Sequence, residues 1–330
     1  MRLIFHMGAH KTGTTSIQLT LASHRPLLEE LGIYYPDSHP FFKGKRTGHF
    51  GYAHALTNTG SSETDKADRF IASITDTTNC ADSSIHTVLL SSEPAYRHIH
   101  GFRDEPLWAD STADDFWLQR KRYLQDLKKS LSDFDVEIVL FIRRQDSMAE
   151  SLYQEATSRG FYRQPFQQFC HDFNAYFDFN QQINIITDVF DNVTICRYEE
   201  NCDVVPIFLE LCFPGQHLPA TITEKVRIRR SPDKRLTLWL QESSTDEHDS
   251  QSHFLKSELA HKLFKEQNPC SFWDSVKQRD SFLHSFSGKY GADFFTSAPT
   301  QLPTVAVLSK AYRNRIDDAY IRWKKSLQDK

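Results

Sequence analysis

The residues whose types and spacing point most directly to chemistry lie near the N-terminus: Gly8-Ala9-His10-Lys11-Thr12-Gly13-Thr14-Thr15-Ser16. A short apolar run, Leu3 to Met7, precedes them. A helical stripe follows, with apolar residues at Ile17, Leu21, Leu27, Leu28 and Leu31. A strand-to-helix turn with G-x-x-x-x-G spacing turns its backbone N–H groups toward one point at the positive end of the helix. Such a turn binds an anion, phosphate above all. Thr14, Thr15 and Ser16 add hydroxyl donors and are expected to cap the helix. Nucleotide triphosphatases place a lysine directly after the second glycine, then Ser or Thr for magnesium. Here Thr14 stands in that position and Lys11 lies inside the loop. A lysine there reaches the oxygen that bridges a phosphate to a leaving or transferring group.

Two further sets of residues belong with an anion loop. Val136 to Ile142 is apolar on both faces, as a central parallel strand requires, and it ends at Arg143. The C-terminal edge of such a strand is where α/β sheets bind ligands. A guanidinium fork suits a phosphate dianion, and Ser151, eight residues on in the next helix, can share it. Arg144 sits on the opposite pleat and reads as a structural ion-pair partner. The run Thr87 to Glu93 is a strand that ends in a carboxylate at the same sheet edge, which makes Glu93 a candidate general base. The rival bases are His49 and His54, in a long loop from Pro36 to Ser62 rich in Gly, His and aromatic residues. His98 and His100 are weaker candidates.

Positioning these groups at one edge needs a parallel sheet. The first 200 residues alternate strand and helix signals: helices over about 16–31, 65–81, 114–131, 147–159 and 204–213, strands over 3–7, 87–93, 136–142 and 193–198. The fold class is therefore α/β, a P-loop-type three-layer sandwich with a central parallel sheet and helices on both faces. Past Pro214 the pattern becomes helical, over 232–241, 254–266, 271–284 and 309–325, with a polar, acidic loop at 242–250. The expected organisation is a core of 1–230, with the substrate loop inserted around 36–62. A helical extension of 231–330 packs on it as one compact domain.

Composition bounds the rest. The chain has 330 residues, 39% apolar and 25% charged, which is ordinary for a globular protein. Its net charge of −4 argues against a nucleic-acid binder, so any anion site is local. The basic C-terminal stretch, from Lys310 to Lys325, reads as a solvated face. The six cysteines (Cys80, Cys170, Cys196, Cys202, Cys212, Cys270) show neither zinc nor disulfide-scaffold spacing. No apolar run is long enough for a membrane span, and the N-terminus does not read as a signal peptide. Both point to a cytoplasmic protein with free thiols.

His10-Lys11-Thr12-Gly13-Thr14-Thr15-Ser16 resembles the 5′-phosphosulfate loop of the sulfotransferases that use PAPS (3′-phosphoadenosine-5′-phosphosulfate) as donor. The likeness is closest to bacterial members and to the Golgi carbohydrate sulfotransferases. Arg143 and Ser151 match that family's 3′-phosphate pair, and Arg197-Tyr198-Glu199 is similar to a later strand end in many members. Arg227, Arg229, Arg230 and Ser231 fall where the family covers the nucleotide, at a spacing that matches poorly. The resemblance implies a PAPS donor and PAP product without a metal. It also implies Glu93 as base and an acceptor hydroxyl on a glycan or glycolipid. Two alternatives stay open: an ATP- and magnesium-dependent kinase, with Asp188 or Glu93 as its metal-binding acid, and a module that binds PAP without turnover. The sequence does not set the oligomeric state.

Overall fold

Residues 1–9, 11–43, 47–57, 60–81, 83–100, 115–198, 203–216, 218–223, 234–243, 271–290 and 310–328 are described by the computed structural model of the chain. The chain divides into two compact units. The first comprises Met1–Arg144 and Asp178–Ile228, and the second Gln145–Phe177 and Arg229–Lys330.

The first unit is built on the apolar runs. Arg2–Gly8 (β1), Ile33–Tyr34 (β2), Thr87–Ser91 (β3), Asp135–Arg143 (β4) and Asn192–Tyr198 (β5) form one sheet in the order β2-β3-β1-β4-β5, with every pairing parallel. β1 is central. Its Ile4 and the Leu89, Val139 and Phe141 beside it point to one face, while Leu3, Phe5 and Met7 point to the other, all 0% exposed. On the first face lie the helices Thr14–Ser23 (α1), Arg25–Glu30 (α2) and, further along the chain, Val204–Cys212. They contribute Ile17, Leu21, Leu28, Phe208 and Leu209 to a single apolar cluster.

Phe50–Ala55 (α3), Ser62–Thr78 (α4), Phe116–Ser130 (α5) and the later helix Phe179–Val189 pack side by side. The fully buried Arg120 of α5 reaches Met7 Sδ at 3.7 Å, which sets this layer on the second face. The chain leaves β1 toward β2 and leaves β4 toward β5, in opposite directions along the sheet. The crevice that such a switch opens therefore lies between the C-terminal ends of β1 and β4.

Gln145–Ser158 (α6) and Phe166–Asp172 (α7) belong to the second unit, with later helices. Phe179–Val189 (α8), Val204–Cys212 (α9) and Ala220–Thr223 (α10) complete the first. The second unit continues with Lys234–Ser243 (α11), Val276–His284 (α12) and Lys310–Gln328 (α13). Residues 145–177 thus group with the C-terminal helices rather than with the sheet.

Several sequence expectations need correction. The stripe over 16–31 is two helices, broken at His24, because Pro26 near the start of α2 cannot continue the hydrogen bonding of α1. The segment 36–62 is no open loop. It contains α3, and Phe42, His49 and Tyr52 bury themselves around Phe70 of α4. The short edge strand β2 and helices α7 and α8 add to the elements that the sequence pattern predicts. Ile185-Ile186-Thr187-Asp188 lies within α8, and Asp188 is exposed and paired with Lys121 at 3.1 Å. It does not stand at a strand end, where a kinase reading needs its metal-binding acid. Helix α12 begins later than expected because the Ser275 side chain caps it. The expected helix over 254–266 lies outside the described residues, as do Cys202 and Cys270.

Candidate functional site

The loop after β1 is shaped by its two glycines and by a strained lysine. Gly8 ends β1 in a space where a Cβ would come 2.4 Å from Thr14 Oγ1 and 3.0 Å from Thr12 Oγ1. Gly13 has φ 75°, and a Cβ there would meet Val204 Cγ1 of α9 at 2.6 Å. Lys11 adopts φ 64°, the one non-glycine positive φ among the described residues. A lysine has no backbone reason to prefer that region, so the surrounding contacts impose it.

The contacts are visible. Thr12 Oγ1 donates to Ala9 O at 2.6 Å, Ala9 N donates to Phe141 O of β4 at 2.8 Å, and Arg143 Nη1 donates to Lys11 O at 3.2 Å. The Arg143 guanidinium lies 5.6 Å from the ring centre of Tyr198 at the end of β5, and Tyr198 also faces Gly13. The loop, the end of β4 and the end of β5 are thus tied together at the switch point.

Gly13, rather than Thr14, Thr15 or Ser16, is the N-cap of α1, and no side chain caps it. This corrects the expected capping role of the hydroxyl residues. The left-handed backbone of Gly13 starts the helix one residue earlier. The amides of Thr12, Gly13, Thr14 and Thr15 make no hydrogen bond to another described residue, so the positive helix end presents them to a ligand. Thr12 and Thr14 are buried, and Thr12 uses its hydroxyl to brace the loop. Lys11, Thr15 and Ser16 are partly exposed. His10 lies outside the described residues, as do Glu199, Arg227, Arg229, Arg230 and Ser231.

Glu93 lies two residues past β3, the neighbour of β1, and opens the short turn Pro94–Tyr96 without capping it through its side chain. Its charge is felt by His6 of β1. Burial lowers the His6 ring to about 3, with Glu93 pulling the other way, so His6 is neutral. Gln18 Nε2 donates to Ser91 Oγ at 3.1 Å, and the Ser91 hydroxyl shares a hydrogen bond with His6 Nδ1 at 2.8 Å. His6 Nε2 is buried, has no hydrogen-bond partner among the described residues, and lies 3.3 Å from where a Gly8 Cβ would be. Sequence reasoning missed His6; the signal was a polar residue inside an otherwise apolar central strand.

The rival bases fare differently. His49 Nδ1 accepts from Ser91 N at 2.9 Å and its Nε2 donates to Pro36 O at 3.0 Å. Burial holds the ring down to about 4, so His49 is a neutral brace that extends the edge of β3. Both nitrogens are committed, and it does not act as a base. His54 is exposed and lies 4.5 Å, ring to ring, from the buried His98, while His100 pairs with Asp126 at 3.0 Å. In the second unit, Ser151 is buried on α6, and its hydroxyl has no partner among the described residues.

No protein-family model and no curated protein matches the chain. Among solved structures, a sulfotransferase from Alicyclobacillus acidocaldarius is similar at 17% identity and a TM-score of 0.36, over 86% of this chain and 96% of its own. A chain from the PezAT chromosomal toxin-antitoxin system of Streptococcus pneumoniae is similar at 14% identity and a TM-score of 0.26, over 73% and 84%. Likenesses of that depth carry no argument about activity, which rests on the loop and its surroundings.

Proposed function

We propose that the chain is a sulfotransferase that moves a sulfuryl group from PAPS to an acceptor hydroxyl on a glycan or glycolipid. The observation that supports it best is the bond from Arg143 to the carbonyl of Lys11. It joins the arginine at the end of β4 to a lysine held at positive φ inside the anion loop. A phosphate loop with its lysine inside, rather than after the second glycine, suits charge that grows on a bridging oxygen.

The donor supplies a sulfuryl group activated on a phosphate oxygen. The amides of residues 12–15 bind the 5′-phosphate end, with Thr15 and Ser16 hydroxyls beside them. Arg143 takes the 3′-phosphate. Lys11 stabilises the leaving oxygen. Glu93 takes the proton of the attacking hydroxyl as the bond to sulfur forms, in line with the bond that breaks. The reading calls for no metal, because a sulfuryl group carries less charge than a phosphoryl group. Transfer then depends on positioning and on cations already in the site.

Calorimetric titration of the protein with PAP, run beside ATP plus magnesium, tests this. Metal-independent micromolar binding of PAP that is lost in Arg143→Ala supports the donor site. Binding of ATP only with magnesium, and none of PAP, overturns it in favour of a kinase. PAP binding with no transfer from PAPS to any glycan in a broad panel leaves a nucleotide-binding module instead.

A further inference from the structure

Aromatic residues of the second unit gather on one side of a cleft. Phe166 of α7 packs edge-on against Trp273 at 4.8 Å and lies 5.5 Å from Phe272, ring to ring. With Leu238 of α11 these rings floor a cleft of about 430 Å³, inside the ~300–1,000 Å³ range of small-molecule sites. The wall is held rigidly from behind. Glu150 of α6 accepts from Phe272 N at 2.6 Å, from Ser271 Oγ at 2.6 Å and from Lys234 Nζ at 2.5 Å.

The rim is polar and rich in acceptors. Gln167 Nε2 donates to Asp274 Oδ2 at 2.8 Å, which orients both side chains. Gln167 Oε1 and Asp274 Oδ1 then accept from no other described residue. Gln241, also lining the cleft, receives the Tyr153 hydroxyl at 2.7 Å. Among the described lining residues there is no Lys, Arg or His, and Asp274 is the one charge. Such a rim asks for a ligand with several hydroxyl donors, and its lone negative charge disfavours an anion. An apolar floor beside it asks for a ligand with a C–H face. A cage for a quaternary ammonium needs several ring faces turned on one cation within about 6 Å. Here the rings occupy one another's faces, so they form a wall and not a cage.

We infer that this cleft binds an uncharged sugar ring, the neutral portion of a glycan. Its service as an acceptor site rests on the sulfotransferase reading; the binding itself does not.

The test is calorimetric titration of the full chain with lactose, cellobiose and N,N′-diacetylchitobiose, with cellobiouronic acid and choline as contrasts, and with tryptophan fluorescence read in parallel. PAP is titrated into the same samples. At least one neutral disaccharide is expected to bind with Kd of about 0.1–10 mM, as a few hydrogen bonds and apolar contact with the floor provide. The uronic acid should bind at least about tenfold more weakly, and Asp274→Ala should cost about tenfold or more, the loss of a charge-assisted hydrogen bond. Leu238→Trp, which fills the floor, should abolish sugar binding while the thermal melt stays cooperative. The inference is overturned if no neutral disaccharide binds, if choline or the uronic acid binds better, or if both variants bind like the parent. Bound PAP without bound sugar removes the cleft and spares the donor reading. Bound sugar without PAP does the reverse.

Discussion

Gly13→Ala tests whether the loop after β1 is set by backbone geometry and by packing against α9. The glycine sits at φ 75°, where an alanine costs about 1–2 kcal/mol. Its new Cβ would lie 2.6 Å from Val204 Cγ1, and Val204 is 5% exposed on α9, so the valine has little room to yield. Overpacking of that kind costs about 1–3 kcal/mol. The smaller entropy of the unfolded chain returns about 0.4–1 kcal/mol. Gly13→Ala should therefore destabilise the protein by roughly 1–4 kcal/mol in urea unfolding at unchanged m-value. Val204→Ala removes the offending methyl. In that background Gly13→Ala should cost only its backbone share, under about 1.5 kcal/mol, for a coupling of about 1 kcal/mol or more in the double-mutant cycle. An equal cost in both backgrounds would refute the packing argument. No cost in the parent would refute the backbone argument as well.

Three other outcomes are expected. Lys11 occupies a left-handed position at φ 64°, so Lys11→Gly should match or exceed the parent in thermal stability, by up to about 1 kcal/mol, yet show no transfer from PAPS. A stable and active variant would remove the lysine from the reaction. Glu93→Gln should bind PAP like the parent and lose about 10²–10⁴-fold in kcat, the usual worth of a general base. Unaltered turnover would exclude Glu93 from that role. His6 and His49 titrate at about 3 and about 4 when folded, against 6.5 when unfolded, so between those values the unfolded chain binds more protons and stability falls as pH falls. The slope below pH 6.5 should approach about 1.4 kcal/mol per pH unit for each histidine, and it should lessen in His49→Asn when unfolding is followed from pH 7 to 4.5.

Much of this protein is legible in one dimension. The two-faced apolar run of β4, the glycine spacing at Gly8 and Gly13, and the alternation of strand and helix each express a local rule, and these rules suffice for a parallel α/β sheet with a glycine-flanked loop at its edge. Arg143 and Glu93 could be read as edge residues because each closes a strand run. What the sequence concealed depends on contacts between distant segments. His49 resembled a base because its residue type permits it. Only the fold shows that Ser91 and Pro36 take both of its nitrogens and that burial keeps it neutral. Asp188 was a candidate metal-binding acid by residue type alone, and only the fold shows it exposed on α8 and paired with Lys121. His6 acquired its place beneath the loop from the pairing of β1 with β3, which brings Ser91 to its ring. The left-handed turn of Lys11 follows from no preference of lysine. It is imposed by Arg143, Thr12 and the closeness of β4, because a backbone conformation that costs energy locally persists only where tertiary contacts return more than it costs.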